Sequence, residues 1–310
     1  MPAPIKNSTR CSGAANLLEM NQSSPRIGPS EVHPDAYRVV RVGTEFVLRG
    51  FDFLTEAYSD AVDGLIVLTL VGDQMGAPRR QTASVRALAT RLDMPYETVR
   101  RRVEKLMQSG ECVVTRGSLG VPPALLCSDR ITTFLRKIYV NAVRLLTDLT
   151  RIEVAAFAPA SRRPVQSGRL SPEQTAIAVA ATGLLLTGLR SIRSYWDDDL
   201  MKGLVYTAIW TANVKLVTNT APAGLRAVLP DSDRQPVSVL AISRSLRLPY
   251  ETIRRHADAL LQEGICVRAG SHGLTVPTSF IEATTAPGIA LAYRLVMDFL
   301  AELRRAGVTT

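Results

Sequence analysis

One stretch of this chain occurs twice, and that duplication limits the fold more than any property of its composition. RQTASVRALATRLDMPYETVRRRVEKLMQSGECVV begins at Arg80, and RQPVSVLAISRSLRLPYETIRRHADALLQEGICVR begins at Arg234, 154 residues on. The register holds without a gap, so that Pro95 matches Pro249, Arg101 matches Arg255 and Cys112 matches Cys266. Beyond it, YVNAVRLLTDLTRIEV from Tyr139 pairs more weakly with YRLVMDFLAELRRAGV from Tyr293. Upstream, DAVDGLIVLTL from Asp60 resembles DLMKGLVYTAI from Asp199 at an offset of 139, so the second unit carries an insertion through APAGLRAVLPDSD. A repeat this long is a tandem domain and not a solenoid turn. The expected layout is a mobile tail over 1–36, a first unit over 37–157, a basic linker over 158–172 and a second unit over 173–310.

Within the first unit, Val85, Leu88, Ala89 and Leu92 fall at helical spacing behind Ser84, an N-cap residue type. The Asp-Met-Pro that follows breaks the helix, because proline disfavours helical geometry in the residue before it. A second helix is predicted to open with Pro95 in its first turn, bury Val99, Val103, Leu106 and Met107, and stop at Gly110. Next come a β-prone run, a Gly-Ser-Leu-Gly turn and a second extended run, which predict a hairpin. The second unit repeats the pattern with AGSHG as its turn and an apolar run from Leu274. The expected class is mainly α with small β-hairpins. Ala, Leu and Val dominate the apolar residues and aromatics make up 5%, which favours helices.

LDMPYETVRRRVEKLMQSG and LRLPYETIRRHADALLQEG resemble the turn and recognition helix of winged helix-turn-helix regulators, the broad MarR-, IclR- and GntR-like group. The resemblance covers about 45 residues per unit. It implies two tandem winged helix-turn-helix domains with flanking long helices, and double-stranded DNA as partner. The residue types agree. Opposite the apolar stripe lie Glu97, Arg101 and Gln108, flanked by Thr98, Arg100 and Lys105; Arg can bond guanine, Thr phosphate or a thymine methyl, and Glu cytosine. The expected DNA-contacting set is Tyr96, Glu97, Thr98, Arg100, Arg101, Lys105 and the wing residue Arg116, with Tyr250, Glu251, Thr252, Arg254 and Arg255 in the second unit. A net charge of +9 suits phosphate binding. The units are not equal, since Pro95–Ser109 carries +2 and Pro249–Glu263 carries −1. The first helix is therefore expected to supply more phosphate affinity.

Other readings are set beside this one. A plasmid-type replication initiator and a protein-interaction scaffold also use tandem winged helices. A homodimer and a small-molecule effector are left open. No nucleophile–base pair, phosphate-binding loop or zinc spacing is seen, so neither an enzyme nor a cofactor is expected. Cys112 and Cys266 read as buried small hydrophobes before redox sensors, and His256 as solvent-facing or phosphate-contacting before a pH switch. Asp197, Asp198 and Asp199 read as an acidic helix start before a metal site. The apolar run Thr175–Leu189 is shorter than the ~20 residues of a membrane span. With no secretory signal visible, a cytoplasmic, nucleoid-associated protein of bacterial type is expected.

Overall fold

The computed structural model describes residues 33–76, 84–115, 117–157, 170–215, 228–270 and 273–310. Most of the expected tail and linker, and Arg116 of the expected DNA-contacting set, lie outside them. The described chain is mainly helical with two small antiparallel sheets.

The first half runs α1 (Ala36–Ala57), α2 (Ala61–Met75), α3 (Val85–Leu92), α4 (Tyr96–Gln108), β1 (Val113–Thr115), β2 (Ser118–Gly120), α5 (Pro123–Leu126) and α6 (Asp129–Arg151). The second half repeats that order: α7 (Pro172–Tyr195), α8 (Leu200–Asn213), β3 (Val237–Ser238), α9 (Val239–Leu246), α10 (Tyr250–Gln262), β4 (Val267–Ala269), β5 (Gly273–Thr275), α11 (Thr278–Thr284) and α12 (Ala286–Arg305). The duplication is thus wider than its clearest sequence signal. It takes in α1 and α7, aligned 138 residues apart, where Gly50 answers Gly188 and little else is identical.

Local chemistry explains the element ends. The Ser84 hydroxyl accepts the Ala87 N–H at 3.1 Å, and Ser238 accepts Ala241 N–H at 3.2 Å. Both short helices end on a left-handed residue, Asp93 at φ 53° and its equivalent Arg247 at φ 51°. Tight turns follow in which Met94 N–H reaches Ala89 O and Leu248 N–H reaches Ser243 O. Gly110 and Gly264, at φ 76° and 72°, end the second helices in a conformation that costs glycine little. Pro95 proves to be the N-cap of α4 and not a residue of its first turn. Ser171 caps α7 within a reciprocal capping box with Gln174.

The long helices make one core across both halves, with α6 on α1 and α7, and α12 on α7 and α1. At the α1–α7 crossing, a Cβ on Gly50 would sit 2.6 Å from Leu185 Cδ1, and one on Gly188 would sit 2.9 Å from Val47 Cγ2. Val47 is the equivalent of Leu185, so each glycine receives the other half's counterpart residue. Such reciprocity is what a twofold relation between units requires. Helix α7 extends beyond the apolar run Thr175–Leu189 at both ends. By length and composition it is the one described helix able to cross a membrane, and half of its most apolar window is buried inside the protein.

Candidate nucleic-acid interface

Each unit presents its second helix on the outside of a small hydrophobic nucleus. In the first, Val99, Val103 and Leu106 of α4 are buried with Leu88, Cys112 and Leu119; in the second, Ile253, Ala257 and Leu260 of α10 are buried with Ile242, Cys266 and Leu274. Met107, expected in the buried stripe, is 43% exposed, on the flank of α4 beside the buried Val99, Val103 and Leu106. The hairpins form as predicted, pairing Val114 with Leu119 and Arg268 with Leu274. The second also gains β3, which pairs Val237 with Leu274.

The expected contact residues fall into three groups. Tyr96, Glu97, Thr98 and Arg101 are exposed on α4, as are Tyr250, Glu251 and Arg255 on α10, where Thr252 is half-buried. Arg101 and Arg255 make no ion pair among the described residues. Arg100 is bound within its own helix, to Glu97 at 3.0 Å and to Glu104. Arg254 repeats this, with Glu251 at 2.9 Å and Asp258 at 3.1 Å. The Glu97 bond first, then the charge of Glu104, raises the Arg100 pKa, and Glu251 does the same for Arg254. All four carboxylates and both arginines are solvent-accessible, so these pairs are cheap to open.

The third group reaches toward α2, although Lys105 stays exposed along most of its side chain. Lys105 Nζ lies 3.0 Å from Asp63, and Arg102 bonds Asp60 at 2.6 Å and Asp63 at 3.2 Å. Burial alone would raise the Asp60 carboxyl, but Arg102 and the N–H groups of Asp63 and Val62 together hold it below its ordinary value. These cations dock α4 on α2. The second unit docks with its charges exchanged: Lys202, the equivalent of Asp63, bonds Glu263 of the turn after α10 at 2.6 Å. His256 is not solvent-facing; its side chain is 13% exposed and stands 3.9 Å from Asp199. Burial first lowers its pKa, against the pull of Asp199. The +2 of the first helix therefore falls to zero when Asp60 and Asp63 are counted, while the −1 of the second is unchanged by Asp199 and Lys202. Much of the inequality between the units is a property of their docking surfaces.

Two further features had no sequence signature. Gln74 of α2 and its equivalent Asn213 of α8 tie down the strand that leaves each hairpin. Gln74 accepts from Val121 N–H at 2.7 Å and donates to Val121 O at 3.1 Å. Asn213, fully buried, accepts from Val276 N–H at 3.0 Å and donates to Gln235 O at 2.6 Å and Leu274 O at 3.0 Å. Each helix–helix turn is also held by the long helix of the opposite half. Arg190 donates to Arg91 O at 2.8 Å and Arg193 to Asp93 O. Across the molecule, Arg247 meets Asp52 at 3.4 Å and Glu56 at 3.9 Å. Asp52 is the equivalent of Arg190, and Arg247 of Asp93, so the two latches have opposite polarity.

Cys112 and Cys266 are buried, and burial pushes each thiol up to about 12. Asp199 caps α8 by accepting Lys202 N–H at 2.9 Å, in keeping with an acidic helix start, and no group of metal-ligating side chains occurs among the described residues. Comparison with protein-family models, curated proteins and solved structures finds no match to this chain.

Proposed function

We propose that α3–α4 with β1–β2, and α9–α10 with β3–β5, are winged helix-turn-helix units. The chain would bind double-stranded DNA through them as a transcriptional regulator, with α4 and α10 in successive major grooves. The observation that carries this reading is the matched pair Arg101 and Arg255. Both stand exposed on the outer faces of equivalent helices, without an ion pair among the described residues, near Tyr-Glu-Thr triplets that are exposed except for the half-buried Thr252. Structural need does not account for a free arginine kept in both copies. Arg100 and Arg254 sit beside them in pairs weak enough to be exchanged for phosphate. Lys105 is exposed along most of its side chain and tethered at its ammonium to Asp63.

Fluorescence anisotropy with duplex DNA over a salt series tests this. Binding should weaken as salt rises, and Arg101→Ala and Arg255→Ala should each flatten the log–log slope by about one unit. Arg100→Ala should flatten it less. The two principal variants are expected to act alike, in line with the matching surroundings of Arg101 and Arg255. Failure to bind any duplex at low salt would overturn the reading and favour a protein scaffold. Selection from genomic DNA would then separate a single operator from the iterated repeats of a replication origin.

A further inference from the structure

Between the two halves lies a cavity of about 140 Å³, walled by α1, α7, α8 and α12. Both tryptophans of the chain, Trp196 and Trp210, line it together with Tyr195 and Tyr206. No Asp, Glu, Lys, Arg or His is among its lining residues. Its smaller hydroxyls already donate to backbone carbonyls: Thr44 to Arg41 O, Ser191 to Thr187 O, Thr207 to Gly203 O and Thr285 to Ile281 O, at 2.7–2.9 Å. Tyr195 donates to Thr284 O at 2.6 Å. A water here would find few of the two to four polar partners it needs, whereas a dry cavity of about 150 Å³ accommodates benzene.

The duplication supplies an internal control. Ser191, Gly288 and Ala292 on the cavity wall are the equivalents of Phe53, Phe134 and Ile138 in the first half. Phe134 and Ile138 are buried in the core there, and Phe53 packs against it. The volume that three large side chains occupy in one half is left open in the other. A void left by large-to-small replacement is destabilising while it stays empty. The cavity also has a way in: Leu291 is exposed, and with Ser191 and Tyr195 it lines a shallow depression that reaches Thr90 and Asp93.

We propose that this cavity binds a neutral, apolar molecule of one aromatic ring. Charged analogues are excluded because no counter-charge lines the wall and burying an unpaired carboxylate is costly. Binding here does not depend on whether the helix-turn-helix units contact DNA.

The test titrates the full chain with toluene and ethylbenzene, with benzoate as a charged probe of similar size. It follows tryptophan emission and thermal unfolding. Toluene and ethylbenzene should give a saturable emission change, and at ten times Kd should raise the folded-to-unfolded ratio about elevenfold. Benzoate should do neither. Gly288→Phe and Ala292→Ile restore the residues of the first half, and each should abolish the response while remaining folded by circular dichroism. A Cβ at Gly288 would lie 3.6 Å from Tyr195, an ordinary contact. The smaller Ala292→Ile change decides the matter if Gly288→Phe does not fold. The proposal is overturned by no response to either hydrocarbon up to its solubility limit, by an undiminished response in a folded filled variant, or by an equal response to benzoate.

Discussion

Replacing Asn213 with alanine should be among the more damaging single changes in this chain, and much worse than the same change at its equivalent, Gln74. Asn213 is wholly buried and makes three hydrogen bonds to the backbone around β5. Alanine would strand the Val276 N–H beside a residue that is itself fully buried, at about 1–3 kcal/mol for an unsatisfied donor. Gln235 O and Leu274 O would each lose a donor as well, although a water entering the vacated amide volume would recover part of that loss. The sum is about 2–4 kcal/mol. Gln74 is half-buried and makes two bonds to one residue, so solvent can replace it and the cost should be nearer 1 kcal/mol. At about 2 °C per kcal/mol for a chain of this size, the melting point should fall by about 4–8 °C in one variant and about 2 °C in the other. Urea titration supplies the free energies and hydrogen exchange the location, with protection lost at Val276 in the first variant and at Val121 in the second. If Asn213→Ala melts within a degree of the parent, or if Gln74→Ala costs as much, burial of the amide is not what makes the second hairpin's tether stronger.

Asp63→Ala should lower stability by about 1 kcal/mol through loss of two partly exposed ion pairs. By releasing Lys105, while Asp60 still holds Arg102, it should also steepen the salt dependence of duplex binding; a flatter dependence would contradict the docking role of Lys105. His256 is held below its ordinary pKa, so the unfolded chain takes up its proton first as the solution is acidified. Its contribution to stability is therefore intact well above the unfolded value of about 6.5 and is lost as pH falls through that value toward the folded one. His256→Gln should flatten the dependence of the urea midpoint on pH in that window, and an unchanged slope would rule the residue out. Native alkylation at mildly alkaline pH should modify the exposed Cys127 and spare Cys112 and Cys266, whose thiols titrate near 12; peptide mapping that finds the buried pair labelled would show that the hairpin bases open.

What could be read from the sequence was what local chemistry controls. Ser84, Pro95, Gly110 and the alternation through Val99 and Val103 act on their immediate neighbours, so the helix–turn–helix–hairpin order was visible within a few residues. Arg102 and Lys105 looked like free cations because their partners lie about forty positions away, on a helix whose Asp63 has no motif around it. Met107 was placed inside by periodicity alone, but the wheel does not say how wide the buried stripe is, and Met107 falls at its edge. The likeness of α1 to α7 was hidden because equivalent positions keep size or polarity only at the crossing, around Gly50 and Gly188. The cavity was out of reach for a related reason: Ser191, Gly288 and Ala292 are unremarkable until set against Phe53, Phe134 and Ile138.

The opposite polarity of the two latches has a consequence for assembly. Were two copies of the first half to pair with each other, Asp52 and Glu56 of one would face the turn at Asp93 of the other. Were two copies of the second half to pair, Arg190 and Arg193 would face Arg247. Like charges would meet on both sides in either case, and such juxtapositions discriminate against a wrong partner. At these latches each half is complementary to the other and not to a copy of itself. A residue in a symmetric dimer must serve both sides of the axis at once, and joining the two copies in a single chain removed that restriction, leaving each side free to specialise.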